Sequence, residues 1–100
     1  MKRYSGDRTI DGVQVLVDEA PLDPHYNLKC YSKNGFEWSY EGPEPRQLSF
    51  ALLVDHLGDP ARAEALEDRF MREVVANFDN TWELRSDDIA DIVSAFGTKA

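Results

Sequence analysis

Two pairings of aspartate with histidine are the first places where this chain could do chemistry. His25 follows Asp23 by two positions and His56 follows Asp55 directly, and a carboxylate that orients an imidazole is half of an acid–base device. Adjacency alone does not supply that orientation. On a helix, neighbours point about 100° apart, so Asp55 and His56 are expected on the polar side near a helix end, where a cationic imidazole suits the dipole. His25 sits in a proline-rich turn context and is read as a surface or structural residue. A metal site needs at least three convergent ligands. The available carboxylates, Asp87, Asp88 and Asp91 with Asp79, have no calcium-loop spacing, and Asp87 and Asp88 fit better as first-turn carboxylates at the positive end of a helix.

The other common signatures are missing. Cys30 is the single cysteine, which excludes an intrachain disulfide, a cysteine zinc cluster and a redox pair. No Gly-rich phosphate loop of either common type occurs, and Ser5, Ser32, Ser39, Ser49, Ser86 and Ser94 lack the G-x-S-x-G setting of a hydrolase nucleophile. No catalytic residue, metal or cofactor is therefore expected.

What would position these residues is one domain spanning residues 1–100. At 42% hydrophobic and 11% aromatic content, the chain can bury one core and should fold unaided. Met1 to Tyr4 reads as a short edge strand, and Gly12 to Asp18 as a strand with Val13, Val15 and Val17 on one face. Pro21 and Pro24 interrupt the chain. Leu28 to Tyr31 reads as a short strand, and Asn34-Gly35 as a hairpin turn into Phe36-Glu37-Trp38-Ser39-Tyr40, whose aromatic and polar residues alternate with period two. Gly42-Pro43-Glu44-Pro45 ends that strand. A helix is expected from Gln47 to about Leu57, closed by Gly58, and a second from Asp59-Pro60 to about Asn77, with Leu66, Phe70, Val74 and Phe78 inward and an Asp68–Arg72 ion pair outward. Thr81 to Arg85 reads as a strand, and Ser86-Asp87-Asp88 opens a last helix with Ile89, Ile92, Val93 and Phe96 as its apolar stripe. The expected fold is α+β: an antiparallel sheet of about four to five strands packed on three helices, in the order β-β-β-β-α-α-β-α.

Charge limits the partners. The net charge is −8, with residues 1–50 carrying six Lys/Arg against eight Asp/Glu and residues 51–100 five against eleven. With no basic stretch, direct binding of nucleic acid or of an anionic membrane is not expected. The N-terminus lacks the apolar run of a signal peptide, and the expected compartment is the cytoplasm. The face formed by Phe36, Trp38 and Tyr40 is expected mainly in the core, with Tyr40 beside Glu41 at its rim as a candidate partner anchor.

Several segments together resemble a small uncharacterised family found in bacteria, archaea and their mobile elements. They are Met1-Lys2-Arg3-Tyr4, Gly35-Phe36-Glu37-Trp38-Ser39-Tyr40-Glu41-Gly42, Pro45-Arg46-Gln47-Leu48 with Ala51-Leu52-Leu53, and Phe70-Met71-Arg72-Glu73-Val74-Val75. The resemblance spans nearly the whole chain and implies no activity and no catalytic residues. The resulting expectation is a non-enzymatic protein-interaction module, monomeric or homodimeric, of the accessory or anti-defence kind encoded by phages or plasmids. Its partner would be a basic, nucleic-acid-handling protein met by Asp87, Asp88, Asp91, Tyr40 and Glu41. The alternative is a small-ligand binder or enzyme with a pocket between the aromatic strand and the helices.

Overall fold

Extended chain at both ends of the sequence meets in one antiparallel sheet. The computed structural model describes residues 2–97. Strands β1 (Arg3–Thr9), β2 (Gly12–Val17), β3 (Ala20–Pro21) and β4 (Trp82–Arg85) lie in the order β3-β2-β1-β4. Helices α1 (Pro43–Leu57), α2 (Pro60–Glu73) and α3 (Ser86–Gly97) follow, with a 3₁₀ turn at Val75–Asn77 after α2. The fold is α+β, with a four-strand antiparallel sheet and three helices in the order β-β-β-α-α-β-α. Among the described residues no helix is long and apolar enough to cross a membrane.

The first strand is central where an edge was expected. β1 pairs Tyr4 with Val17 on one side and with Leu84 on the other. Its inward positions are Tyr4, Gly6 and Arg8, and the glycine and arginine hide the alternation that marks a strand. Each has a reason to be there. The Arg8 guanidinium lies 4.7 Å from the centroid of the Trp38 ring and donates to the Trp38 carbonyl and the Glu37 carboxylate, both at 2.8 Å, which places a cation on an aromatic face. At Gly6, a Cβ would come within 2.3 Å of Trp82 Nε1.

The two strands expected at Leu28 to Tyr31 and Phe36 to Tyr40 do not form. The chain from Leu22 to Gly42 carries no ladder at all. The expected alternation of burial is absent as well: Trp38 is fully buried, Phe36 and Glu37 are both half-buried, and Ser39 and Tyr40 are both exposed. Backbone partners come from elsewhere: Ser39 N donates to the Val75 carbonyl at 3.1 Å and Ser39 Oγ to the Phe78 carbonyl at 2.5 Å. Trp38 packs edge-on against Trp82, which stacks on Phe78.

Helix α1 starts at Pro43, one turn earlier than expected. The first-turn N–H groups have no partner within a helix, so Pro43 and Pro45 forfeit nothing there. Gln47 to Val54 is buried without interruption, more than two turns, so α1 is covered on every side instead of along one stripe. Its end is the expected one: Gly58 adopts φ 68° and its N–H reaches the Val54 carbonyl at 2.8 Å. Asp59 then caps α2 through the Arg62 N–H, with Pro60 in the first turn. The inner face of the sheet, with Tyr4, Val15 and Trp82, closes the core over this helix, and α3 adds Ile89 and Val93.

Because the Trp82 ring occupies the space beside Gly6, Gly6→Ala should lower stability by about 2 kcal/mol through overpacking. A urea denaturation midpoint measured for both proteins checks this, with an unchanged slope expected.

Candidate functional site

Neither imidazole is within hydrogen-bonding distance of the aspartate beside it in sequence. His25 sits at φ 59°, its Nδ1 is 3.7 Å from Asp23 Oδ2, and its Nε2 is buried without a partner. Asp55 turns away from His56: its Oδ2 accepts from the Tyr4 hydroxyl at 2.7 Å and from Lys2 Nζ at 3.1 Å. Burial, then the Asp55 carboxylate, raises the Tyr4 hydroxyl far above its ordinary value. Among the described residues no three His, Cys, Asp or Glu side chains gather as metal ligands do.

The five residues expected to contact a partner fall into two groups. Tyr40 and Glu41 stand before the first turn of α1, where the Tyr40 hydroxyl donates to Glu44 Oε1 at 3.2 Å. Glu44 also accepts from Ser32 Oγ at 3.0 Å, and its own backbone N–H, then the Ser32 hydroxyl, hold its carboxyl below the usual range. Tyr40 is 45% exposed, and Glu41 is exposed too, its charge helping to raise Arg72. Asp87, Asp88 and Asp91 lie on α3, whose start is tied to Lys2: the Ser86 N–H donates to the Lys2 carbonyl at 2.9 Å. Since Lys2 also reaches Asp55 near the end of α1, the two groups sit toward opposite ends of that helix. Residues 44 and 55 are separated by roughly 16 Å along its axis.

Within the second group, Asp88 has a structural task. Its Oδ2 accepts from the Arg85 N–H at 2.9 Å, a side chain reaching back to the residue before the helix. Asp87 and Asp91 are exposed, one turn apart, and have no partner among the described residues.

Two clusters carry more structure than the sequence disclosed. Gln47, fully buried on α1, uses every hydrogen-bonding position of its amide. Its Oε1 accepts from the Tyr31 N–H at 2.6 Å and the Ser32 N–H at 3.2 Å; its Nε2 donates to the Pro24 carbonyl at 2.8 Å and the Lys29 carbonyl at 3.0 Å. Beside it, Arg46 bridges α1 to α2 with a fork on Glu67 and Asp68, both at 2.8 Å. The expected Asp68–Arg72 pair is present at 2.7 Å and holds the Asp68 carboxyl low, Arg72 first and Arg46 after it. Glu67 is 4% exposed and burial raises its carboxyl in spite of Arg46. Tyr31, edge-on to Phe50, is pushed up to about 12, first by burial and then by the Glu67 and Glu64 charges.

The space between the aromatic segment and the helices holds buried side chains, Trp38 and Phe50 among them. A cavity of about 350 Å³ lies elsewhere, lined by Lys2, Arg3, Asp18, Glu19 and Arg85. Its cations come from both ends of the chain and are brought together by the β1–β4 pairing. A model of a family of unknown function matches residues 4–95, from the central strand through most of α3. The chain belongs to that family, DUF6166. No curated protein and no solved structure matches it. Membership in DUF6166 thus agrees with the resemblance seen in the sequence and brings no activity with it.

Two outcomes follow from the clusters. Gln47→Met fills the same volume but leaves two N–H groups and two carbonyls without their partner, so a loss of about 3 to 5 kcal/mol is expected in urea denaturation. Glu67 gives a pH signature. Its folded pKa lies above the ordinary 4.5, so the native state holds the proton more tightly and this residue lowers stability as pH rises through the interval above 4.5. Glu67→Gln removes that slope, and the difference between the two proteins' unfolding free energies, followed from pH 4 to 7, should shift steadily in favour of the variant. Glu44 is lowered and acts in the opposite sense, losing stability as pH falls, but it is common to both proteins and cancels in the difference; Asp68, lowered too, shares Arg46 with Glu67, and its contribution is confined to the acid side of the interval, below the ordinary carboxylate range.

Proposed function

We propose that this chain is a non-enzymatic protein-interaction module whose exposed α3 surface docks a basic partner of the kind that handles nucleic acid. The observation that carries this reading is an imbalance in ion pairing. Among the described residues every Lys and Arg except Lys33 and Arg62 stands in an ion pair. Asp87 and Asp91 do not, and α3 carries no basic residue in its last turn. Like charges one turn apart disfavour a helix by a few tenths of a kcal/mol, and a cationic partner surface would relieve that repulsion while gaining on-rate from long-range attraction. Tyr40 and Glu41, toward the other end of α1, would serve a second contact, with the exposed ring as anchor.

The resemblance to proteins of mobile elements sets this reading in a phage or plasmid, as an accessory or anti-defence protein. The alternative, a ligand pocket between the aromatic segment and the helices, has less support, because buried rings occupy that space.

Affinity capture from the native host with the whole chain as bait tests the proposal. The expected result is one basic protein, released as salt is raised beyond about 0.3 M because the screening length shrinks, and lost with Asp87→Asn/Asp91→Asn. Capture that survives both the double substitution and high salt would contradict the acidic α3 surface as the docking site.

A further inference from the structure

The end of the β1–β4 pair gathers features that the fold does not need. In a chain of net charge −8, Lys2, Arg3 and Arg85 line one cavity of about 350 Å³, within the usual range of small-ligand sites. The register sets Arg3 directly opposite Arg85, and like charges directly opposite in an antiparallel pair repel. One carboxylate answers both: Glu83 Oε2 is 3.5 Å from Arg3 Nε and 4.0 Å from Arg85 Nε. These distances exceed those of a charge-assisted hydrogen bond, about 2.7 to 2.9 Å, and contrast with the 2.8 Å contacts of Arg46. Both arginine side chains are more than half exposed, at 54% and 62%. Their forks are thus available to a further anion.

The other wall is acidic. Asp18 and Glu19 form the turn between β2 and β3 at φ 50° and 73°, a left-handed pair of positions that Asn-Gly adopts more easily. Asp18 Oδ1 accepts from the Arg3 N–H at 2.9 Å, which explains that residue. Glu19 has no partner among the described residues. Cations on one side, with the Glu19 carboxylate and the remaining Asp18 oxygen as acceptors on the other, fit a ligand with an anionic head and a hydroxyl-bearing body.

We infer that the cavity between β1, β4 and the Asp18–Glu19 turn binds a small phosphate monoester, its phosphoryl group held by Arg3 and Arg85 with Lys2 beside them, and its hydroxyls by Asp18 and Glu19. A carboxylate brings one charge and suits one fork. A phosphoryl group brings nearly two charges and three oxygens, enough for both forks at once. A polyanion such as nucleic acid would meet the negative charge of the rest of the chain, which a small monoester avoids.

Titration of the ¹⁵N-labelled whole chain with glycerol phosphate and, separately, with inorganic phosphate tests the site, against sodium chloride at matched ionic strength. Saturable shifts are expected at the amides of Arg3, Asp18, Glu19 and Arg85, with glycerol phosphate binding more tightly than inorganic phosphate. Arg3→Gln and Arg85→Gln should each weaken binding about tenfold or more, while Arg62→Gln, on α2, leaves it unchanged. Arg85→Lys keeps the charge and the fold but loses the fork, and should still weaken binding. Shifts that match those of chloride, or equal weakening by Arg62→Gln, would overturn the site. Equal affinity for the two phosphates would overturn the role of Asp18 and Glu19.

Discussion

A primary amide offers two donors and two acceptor lone pairs, and in this fold all four belonging to Gln47 are taken by the backbone of one loop. The segment from Pro24 to Ser32 has no ladder, so its polar groups need partners from another element. A single buried side chain on α1 supplies four of them, and the His25 carbonyl accepts from the Leu28 and Lys29 N–H groups within the loop. That constraint sets the position of Tyr31, which in turn packs on Phe50 and faces Arg46. It also frees the following residues to run across the core, where Trp38 is buried against Trp82.

The same helix organises the charges. Arg46, next to Gln47, joins α1 to the carboxylates of α2, and Asp55 near its end holds Tyr4 and Lys2 of the N-terminal segment. Ser49 Oγ donates to the Glu67 carbonyl at 2.8 Å. Over Gln47 to Val54, where α1 is covered on every side, Gln47 and Ser49 are both bonded to backbone carbonyls or N–H groups, while the flanking Arg46 and Asp55 make the ion pairs of the helix. The surplus negative charge is left at positions such as Asp87 and Asp91, and the Arg3 and Arg85 side chains share one carboxylate. The proposed docking surface and the proposed anion cleft are both consequences of where that pairing ends.

Local chemistry was legible in the sequence and long-range partnership was not. The Gly58 and Asp59-Pro60 boundary, the Asp68–Arg72 pair, the β2 alternation and the Trp82–Leu84 face all depend on neighbours a few residues away. β1 was read only as a short edge strand to Tyr4, because its inward face reads Tyr4, Gly6, Arg8, and only the positions of Trp38 and Trp82 explain a glycine and an arginine there. Phe36 to Tyr40 has the sequence period of a strand, but a ladder requires a neighbouring edge; only Trp38 is buried, and Ser39 is bonded instead to the Val75 and Phe78 carbonyls. Asp87 and Asp88 were visible as helix-start carboxylates, whereas the division of labour between the capping Asp88 and the unpaired Asp87 and Asp91 emerged only with the geometry. The cleft was invisible, since Lys2 and Arg3 meet Arg85 through strand register alone.

Native-state hydrogen exchange at single amides tests the central claim, that the Gln47 amide stands in for a strand ladder. The Tyr31 and Ser32 N–H groups, bonded to Gln47 Oε1, should be protected to the level of α1 amides such as Leu52. The flanking Cys30 and Lys33 amides, exposed residues without such a partner, should exchange rapidly. Uniformly fast exchange from Cys30 to Lys33 would contradict the account, because the loop would then be held by packing alone.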